Sequence, residues 1–366
     1  MIELDGTYGE GGGALVRTAL ALSTLTGKAF HVQNIRAGRE QGGLKAQHLT
    51  AIKALQELCS AKTNEIYLGS KELLFAPGKI KSGTYEVDIG TAGSISLLLQ
   101  ALILPALFAP SKVTLHLRGG TCGLGQASVD YLQNVLLPHL QTFAQKISLK
   151  ILKRGYYPQG GGEVLLEISP KYKLKNYNNF LSFSEELNLK IPTMKMNEQG
   201  QLEQVRGVIN VSRELADKEV GERIQKAAEN YLRKLNVPIN LRVDYVQSLD
   251  LGGEVNLWGL FSQDGQMNLN HPVILGASAL LEKKKSSEEV GEEAARKLME
   301  EISLQGAVDS HLLDQLIPFL AFLPGSEILA GKITTHTMTN IYVAEKFLEV
   351  GFKIEGRKIT VERIKD

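Results

Sequence analysis

Two rhythms of apolar and polar residues run along this chain. Apolar residues recur at every second position in Ile2 to Leu4, Ala29 to Ile35 and Lys112 to Leu117, as in strands with one covered face. In Ala14 to Thr26, Leu44 to Cys59 and Ile95 to Phe108 they recur at the three-to-four spacing of helices. The order from the start is strand, Gly-rich turn, helix, strand, basic turn, helix, then short strands at Glu65 to Leu68 and Glu72 to Phe75. At Thr84 the order begins again: strand YEVDIG, turn TAGS, helix Ile95 to Phe108, strand Lys112 to Leu117. The turn RGGTCGLGQ follows, then a helix over Ser128 to Ala144 and strands at Ser148 to Leu152 and Gly162 to Ile168. A third copy is legible near the end as helix His311 to Phe322, strand Glu327 to Ile333, helix Asn340 to Val350 and strands Phe352 to Ile354 and Ile359 to Val361. Repetition at this scale predicts an α/β (α+β) fold of three strand-helix-strand-helix-strand-strand units in a pseudo-threefold arrangement.

Residues 183–304 depart from the pattern. They offer a strand at Val208 to Val211, a Lys- and Glu-rich helix at Lys218 to Leu235, and strands at Ile239 to Val246, Glu254 to Phe261 and Pro272 to Ala277. A charged helix, Ser287 to Glu301, follows. This reads as a smaller inserted α/β domain, leaving 1–182 and 305–366 as the domain of three repeats. The approach from Tyr172 to Gln201 is polar and aperiodic and reads as linker.

The 366 residues, 43% hydrophobic and 22% charged, suit a globular protein of one large or two medium domains. A net charge of +1 announces no nucleic-acid partner, although a local basic groove can be offset elsewhere. Two cysteines, Cys59 and Cys122, are too few for a disulfide framework or a Cys-based zinc site. The first residues lack the basic start and apolar core of a secretory signal, and the longest apolar run, Ile95 to Ala109, is broken by Gln100 and Pro105. A cytoplasmic protein with no membrane association is expected.

The candidate chemistry lies in the turns. DGTYGEGGGALVRT follows a strand and opens a helix, so its backbone N–H groups could approach a phosphate. Gly9, Gly11 and Ala14 match a dinucleotide fingerprint, but no acidic residue ends the next strand, and no P-loop motif occurs. Glu10 within this cluster suits a divalent cation bridging to phosphate, or simply a solvent-facing turn. NIRAGREQGGLKAQHLTAIKAL presents Arg36, Arg39, Lys45, Gln47 and His48, and two arginines three apart make a natural phosphate clamp or a solvated basic loop. RGYYPQGGGEV could stack a base or be a plain turn. Cys122 lacks a base nearby in sequence; Cys59, His31, His116 and His139 read as structural residues of core elements. No K-x-D-G motif occurs, which excludes the familiar lysine-adenylating ligases. His336, among Thr334, Thr335, Thr337 and Thr339, is expected in a loop between a strand and a helix, where scaffolds display chemistry. If the three units share an axis, that loop would meet the loops carrying Arg36 and Arg39 and Arg118 to Gln126.

In their order along the chain, DGTYGEGGGALVRT, IRAGREQGGLKAQHLTA, GTAGSISLLLQALILPAL, RGYYPQGGG, HLLDQLIPFLAF and THTMTNI resemble the RNA 3′-terminal phosphate cyclase family. The resemblance implies three repeats plus an inserted domain, and an ATP-dependent conversion of an RNA 3′-phosphate to a 2′,3′-cyclic phosphodiester. It further implies a covalent histidine-AMP and an RNA-adenylate intermediate, with release of diphosphate and AMP. Carried onto this chain, it makes His336 the nucleophile. His311, Leu312, Leu313, Asp314 and Gln315, with Gln100, become the nucleotide-contacting residues, and Glu10 the acid associated with Mg or Mn. Arg17, Arg36, Arg39, Gln47 and His48 become the polar residues around the phosphates and the RNA end. The expected partner is an RNA 3′-phosphate end, with no obligate protein partner evident. The chain departs from the family where His311 replaces a frequent aromatic and in the loop Thr121 to Asp130. Two rivals are a catalytically silent RNA-binding relative, against which the presence of His336 argues, and an enolpyruvyl transferase, which shares a repeated unit but uses no covalent nucleotide.

Overall fold

The computed structural model describes residues 1–9, 11–263 and 265–364. Among the described residues there are four four-stranded sheets. Three of them share one topology, in which the unit's first strand pairs in parallel with its second, the second with the fourth, and the fourth with the third. In the first unit this order is Ile2–Asp5, Phe30–Gln33, Leu73–Ala76, Lys62–Thr63; in the second it is Gly83–Asp88, Val113–Gly119, Gly162–Pro170, Ala144–Lys153. In the third it is Lys195–Met196, Glu327–Leu329, Lys358–Arg363, Val350–Glu355.

The third unit is therefore interrupted directly after its first strand. Lys195–Met196 falls within the range 183–304 expected for the inserted domain, yet it pairs with Glu327–Leu329 in the third unit's sheet. The stretch expected to be linker also holds a helix, Phe180–Lys190, whose Phe183 packs edge-on against Phe108 of the second unit. The interruption consists of strands Gln201–Ser212, Ile239–Val246, Gly253–Ser262 and Val273–Leu280 with helices Val220–Leu232 and Ser287–Ser303 on one face.

The helices make the centre. Ala14–Thr26 packs against both Ile95–Leu107 and Thr335–Phe347, and the last packs against Ser310–Leu320. Apart from Ser96 and Gln100, Ile95–Leu107 is apolar on all its faces because helices of other units cover it on several sides. Three of the lone histidines differ in fate. His139 is buried as expected, whereas His31 lies between the carboxylates of Glu3 and Glu72 and His116 is partly exposed beside Glu86. Among the described residues no helix is long and apolar enough to cross a membrane.

Candidate functional site

The Gly-rich loop after Ile2–Asp5 is packed closely by groups from three helices and from the turn at Gly38 and Arg39. A Cβ on Gly9 would lie 2.5 Å from Thr339 Oγ1, one on Gly11 2.7 Å from the Gly38 backbone nitrogen, and one on Gly13 2.5 Å from His48 Nε2 and 2.7 Å from Arg17 Nη1. On Gly12 it would lie 3.5 Å from Arg39 Nη2 and 3.8 Å from His336 Cε1. The loop thus brings Arg17, Arg39, His48 and His336 to one place. Its glycines are needed for close approach as much as for turning, and Gly9 and Gly11 also have positive φ of 64° and 56°. Tyr8 stacks on Tyr342 with ring centroids 4.0 Å apart, holding the loop to the helix that carries His336. Glu10, expected to attend a metal, lies outside the described residues.

His336 is not in a loop. It is the second residue of helix Thr335–Phe347, whose start is fixed by reciprocal bonds between Thr334 and Thr337: the Thr337 N–H donates to Thr334 Oγ1 at 3.0 Å, and the Thr334 N–H to Thr337 Oγ1 at 3.2 Å. Both hydroxyls then donate to Asp314 Oδ1, at 2.7 and 2.6 Å. Asn340 donates through Nδ2 to the Asp314 carbonyl at 2.7 Å, and its Oδ1 accepts from Thr18 Oγ1 at 2.7 Å. Burial pushes the Asp314 carboxyl above its ordinary range; the two threonine hydroxyls, and then His336 and His311, oppose that rise. This framework orients the imidazole of a half-buried residue.

The starts of three helices, at Ala14, Ala46 and Thr335, meet around Gly12 and Gly13. Helix N-termini favour anions, and the side chains here add positive charge. Arg17 is buried, donates through Nε to Gln100 Oε1 at 2.8 Å, and has its pKa lowered to about 10 by burial and then by Arg36. Arg36 is in turn lowered by burial and by Arg39; it sits at φ 58°, a strained backbone for a side-chain-bearing residue, with Nε buried and unpartnered. A bound phosphate would relieve like charges held together in this way. His48 is fully buried and kept neutral, its pKa lowered to about 3 by burial and then by Arg17, Arg36 and Lys45. Its Nδ1 accepts the Lys45 N–H at 3.0 Å, so the ring proton sits on Nε2, the atom against Gly13. Gln47, on the same helix, faces the turn at Gly93 of the second unit instead.

Of the segment expected to contact nucleotide, Leu312 and Leu313 have fully buried side chains in the core. Gln315 donates to the His311 carbonyl at 3.0 Å, and with Gln100, Asp314 and Asn340 it lines a cavity of about 30 Å³, room for a water and no more. His311 is exposed, edge-on to Tyr131, and opens on a cleft of about 460 Å³ shared with Lys332, the turn Gly123 to Gln126 and the inserted strand Val273–Leu280. That volume is typical of small-molecule sites. Lys332 was missed by sequence reasoning, and Asn340 was noted beside His336 without a role. The threonines were noted without their role, although the T-x-x-T spacing of Thr334 and Thr337 is a cap signal. Among the described residues no group of three or more His, Cys, Asp or Glu side chains could hold a metal ion. RGYYPQGGG does not present both rings: Tyr156 is buried against Gly252 of the inserted domain, and only Tyr157 is exposed.

The family model described as RNA 3′-terminal phosphate cyclase matches residues 8–354. A protein of that name from Methanosarcina acetivorans is 40% identical over 365 residues, covering 98% of this chain and 98% of the relative. Another from Methanopyrus kandleri is 39% identical over 365 residues, covering 98% and 96%. A third, from Archaeoglobus fulgidus, is 38% identical over 363 residues, covering 99% and 100%.

Proposed function

We propose, from the premise that this chain belongs to the RNA 3′-terminal phosphate cyclase family, that it converts RNA 3′-phosphate ends to 2′,3′-cyclic phosphodiesters at the expense of ATP. The observation that carries the reading is the corner at Gly12, where His336 and Arg39 lie side by side over a glycine-lined floor. A neutral imidazole is nucleophilic near pH 7 and, once it bears AMP, leaves readily.

In this reading a ring nitrogen of His336 attacks the α-phosphorus of ATP; the P–N bond forms and the bond to diphosphate breaks. An oxygen of the RNA 3′-phosphate then takes the adenylyl group from the histidine. Finally the ribose 2′-OH attacks the 3′-phosphorus, losing its proton, and AMP departs. The last step is intramolecular, and such arrangements reach effective molarities on the order of 10⁵ M or more. Without adenylylation the leaving group would be oxide.

Placement supports the following roles. The cleft at His311 has room for a nucleotide, which the 30 Å³ cavity beside Gln100 and Gln315 lacks, so adenine contact falls to His311 while Gln100 holds Arg17. Leu312 and Leu313 position this helix from the core, and Asp314 positions His336 through the threonines. Arg17, Arg36 and Arg39 with the converging helix starts meet the phosphates, and His48 offers a neutral N–H there. Gln47 lies farther along, toward the second unit, where RNA rather than nucleotide would pass. A divalent cation would be held by Glu10 with phosphate oxygens, since Mg²⁺ takes one or two carboxylates and keeps its other ligands from substrate and water. Bound there, it would offset charge on the phosphates.

The test is RNA bearing a 3′-phosphate, incubated with ATP and either Mg²⁺ or Mn²⁺. Conversion to an end that resists phosphatase, and its loss in His336→Ala, supports the reading. A folded protein that binds RNA but leaves the end phosphatase-sensitive overturns it in favour of a silent relative.

A further inference from the structure

One face of the inserted sheet carries neither inserted helix, and there Tyr131 and Val135 of the second unit cover strand Val273–Leu280 at Gly276. Gly207, Leu241 and Leu257 meet on the face that the two inserted helices cover. Register sets Arg206 opposite Asn240 and Trp258, and Arg242 opposite Val208, so Arg206, Arg242 and Trp258 share the other face. That face and the edge strand Ala144–Lys153 of the second unit bound a cleft of about 1480 Å³, lined on its far wall by Lys150 and Lys153. Small-molecule sites run to roughly 1,000 Å³, so the space suits a length of polymer. The carboxylates of the lining are paired: Asp130 with Arg154, Asp244 with Arg242 and Glu163 with Arg118. Beneath them Asn210 is fully buried with neither amide atom hydrogen-bonded.

We propose that this cleft binds the single-stranded RNA that precedes the reacting 3′ end, with a base stacked on Trp258 and phosphates on Arg206, Arg242, Lys150 and Lys153. The inference rests on RNA being the substrate proposed above. An aromatic ring among guanidinium groups on a sheet face lining a cleft takes bases without regard to sequence, and single strands expose the base faces that duplexes hide. The cleft is coupled to the site through its wall. Next to Asp130, the Tyr131 hydroxyl donates to Asp309 Oδ1 at 2.6 Å, and Asp309 caps the helix that carries Asp314.

Trp258 is the chain's one tryptophan, so its fluorescence reports this cleft alone. The whole protein is titrated with an oligouridylate of about twelve nucleotides ending in a 3′-hydroxyl, which cannot react. The expected result is saturable quenching, weakened roughly tenfold or more in Arg206→Ala/Arg242→Ala and also in Lys150→Ala/Lys153→Ala on the opposite wall. Both double variants should raise the KM for long 3′-phosphorylated RNA and leave reaction of a 3′-phosphorylated dinucleotide unchanged. No quenching, equal quenching by duplex RNA or heparin, or equal losses on long RNA and dinucleotide overturns the proposal. Quenching by RNA in a protein that cyclises nothing would support the cleft while removing the reaction proposed above.

Discussion

Thr334 donates its hydroxyl to Asp314 at 2.7 Å, so the cap of the helix bearing His336 is anchored on the helix that borders the His311 cleft. The proposed nucleophile and the proposed nucleotide site are thereby held in one frame, before any ligand arrives.

Thr334→Val keeps the side-chain shape and removes both the cap and the bond to Asp314. Stability should fall by about 1–2 kcal/mol in urea denaturation, and self-adenylylation should slow more than the population of unfolded protein explains. Thr334→Ser restores both. A serine variant as slow as the valine variant would contradict the positioning role.

Glycines with similar backbone angles should differ in cost. Gly11→Ala meets the Gly38 nitrogen at 2.7 Å, whereas Gly27 and Gly90, at φ 73° and 71°, face open space. Gly27→Ala and Gly90→Ala should each cost about 1 kcal/mol, from the left-handed backbone alone. Gly11→Ala should cost clearly more and displace the Arg39 loop, read as weaker use of RNA ends. Equal costs at all three positions would mean that the loop does not pack as described.

Stability should fall on mild acidification. Burial lowers both His48 and His139 to about 3, and for His139 the charge of His271 adds to the effect. Each group binds its proton more readily in the unfolded chain, near the ordinary histidine value of 6.5, so stability is full above that pH. It declines as pH falls from there towards 3, by a few kcal/mol per group on the order of the shift. Both His139 ring nitrogens are buried without partners, so His139→Leu should flatten this decline and cost little at pH 7. A denaturant series across pH 4–8 that is unchanged by the substitution contradicts the assignment.

The junction with the inserted domain is ionic and buried. Arg154 bonds both Asp130 and Glu254, and Asn256 Nδ2 bonds Glu254 at 3.0 Å. Burial, then the charge of Asp130, raises the Glu254 carboxyl above its ordinary range. Its contribution is therefore present at low pH and is lost as pH rises through the raised value. Glu254→Gln should cost less than about 1 kcal/mol near neutrality and flatten the loss of stability as pH rises from the ordinary carboxylate range to about 8. Arg154→Ala should cost about 3–5 kcal/mol by leaving Asp130 buried and unpaired. Comparable losses for the two variants would refute this division.

Local pattern carried the reading of the fold where elements were long. The first helix was expected at Ala14 to Thr26 and spans those residues, because its apolar spacing and glycine punctuation agree. The third unit's first strand was illegible because Lys195–Met196 is two residues long and the insertion separates it from its own helix. Helix Phe180–Lys190 was readable in principle from Asn179 as a cap and from the spacing of Phe180, Phe183 and Leu187. His336 was expected in a loop because it lies between a strand-like and a helix-like run, and the capping signal of Thr334 and Thr337 was not weighed. Pairings such as Arg17 with Gln100 and Thr18 with Asn340 depend on how the units pack, which no local pattern specifies.

The most direct test of a nucleotidyl-histidine is incubation of the purified protein with α-labelled ATP and Mg²⁺ or Mn²⁺ in the absence of RNA. The account predicts label on the protein that survives base, is released in mild acid as a phosphoramidate should be, and is absent from His336→Ala. Equal labelling of the His336→Ala variant, or no label with either metal on a folded protein, would contradict it.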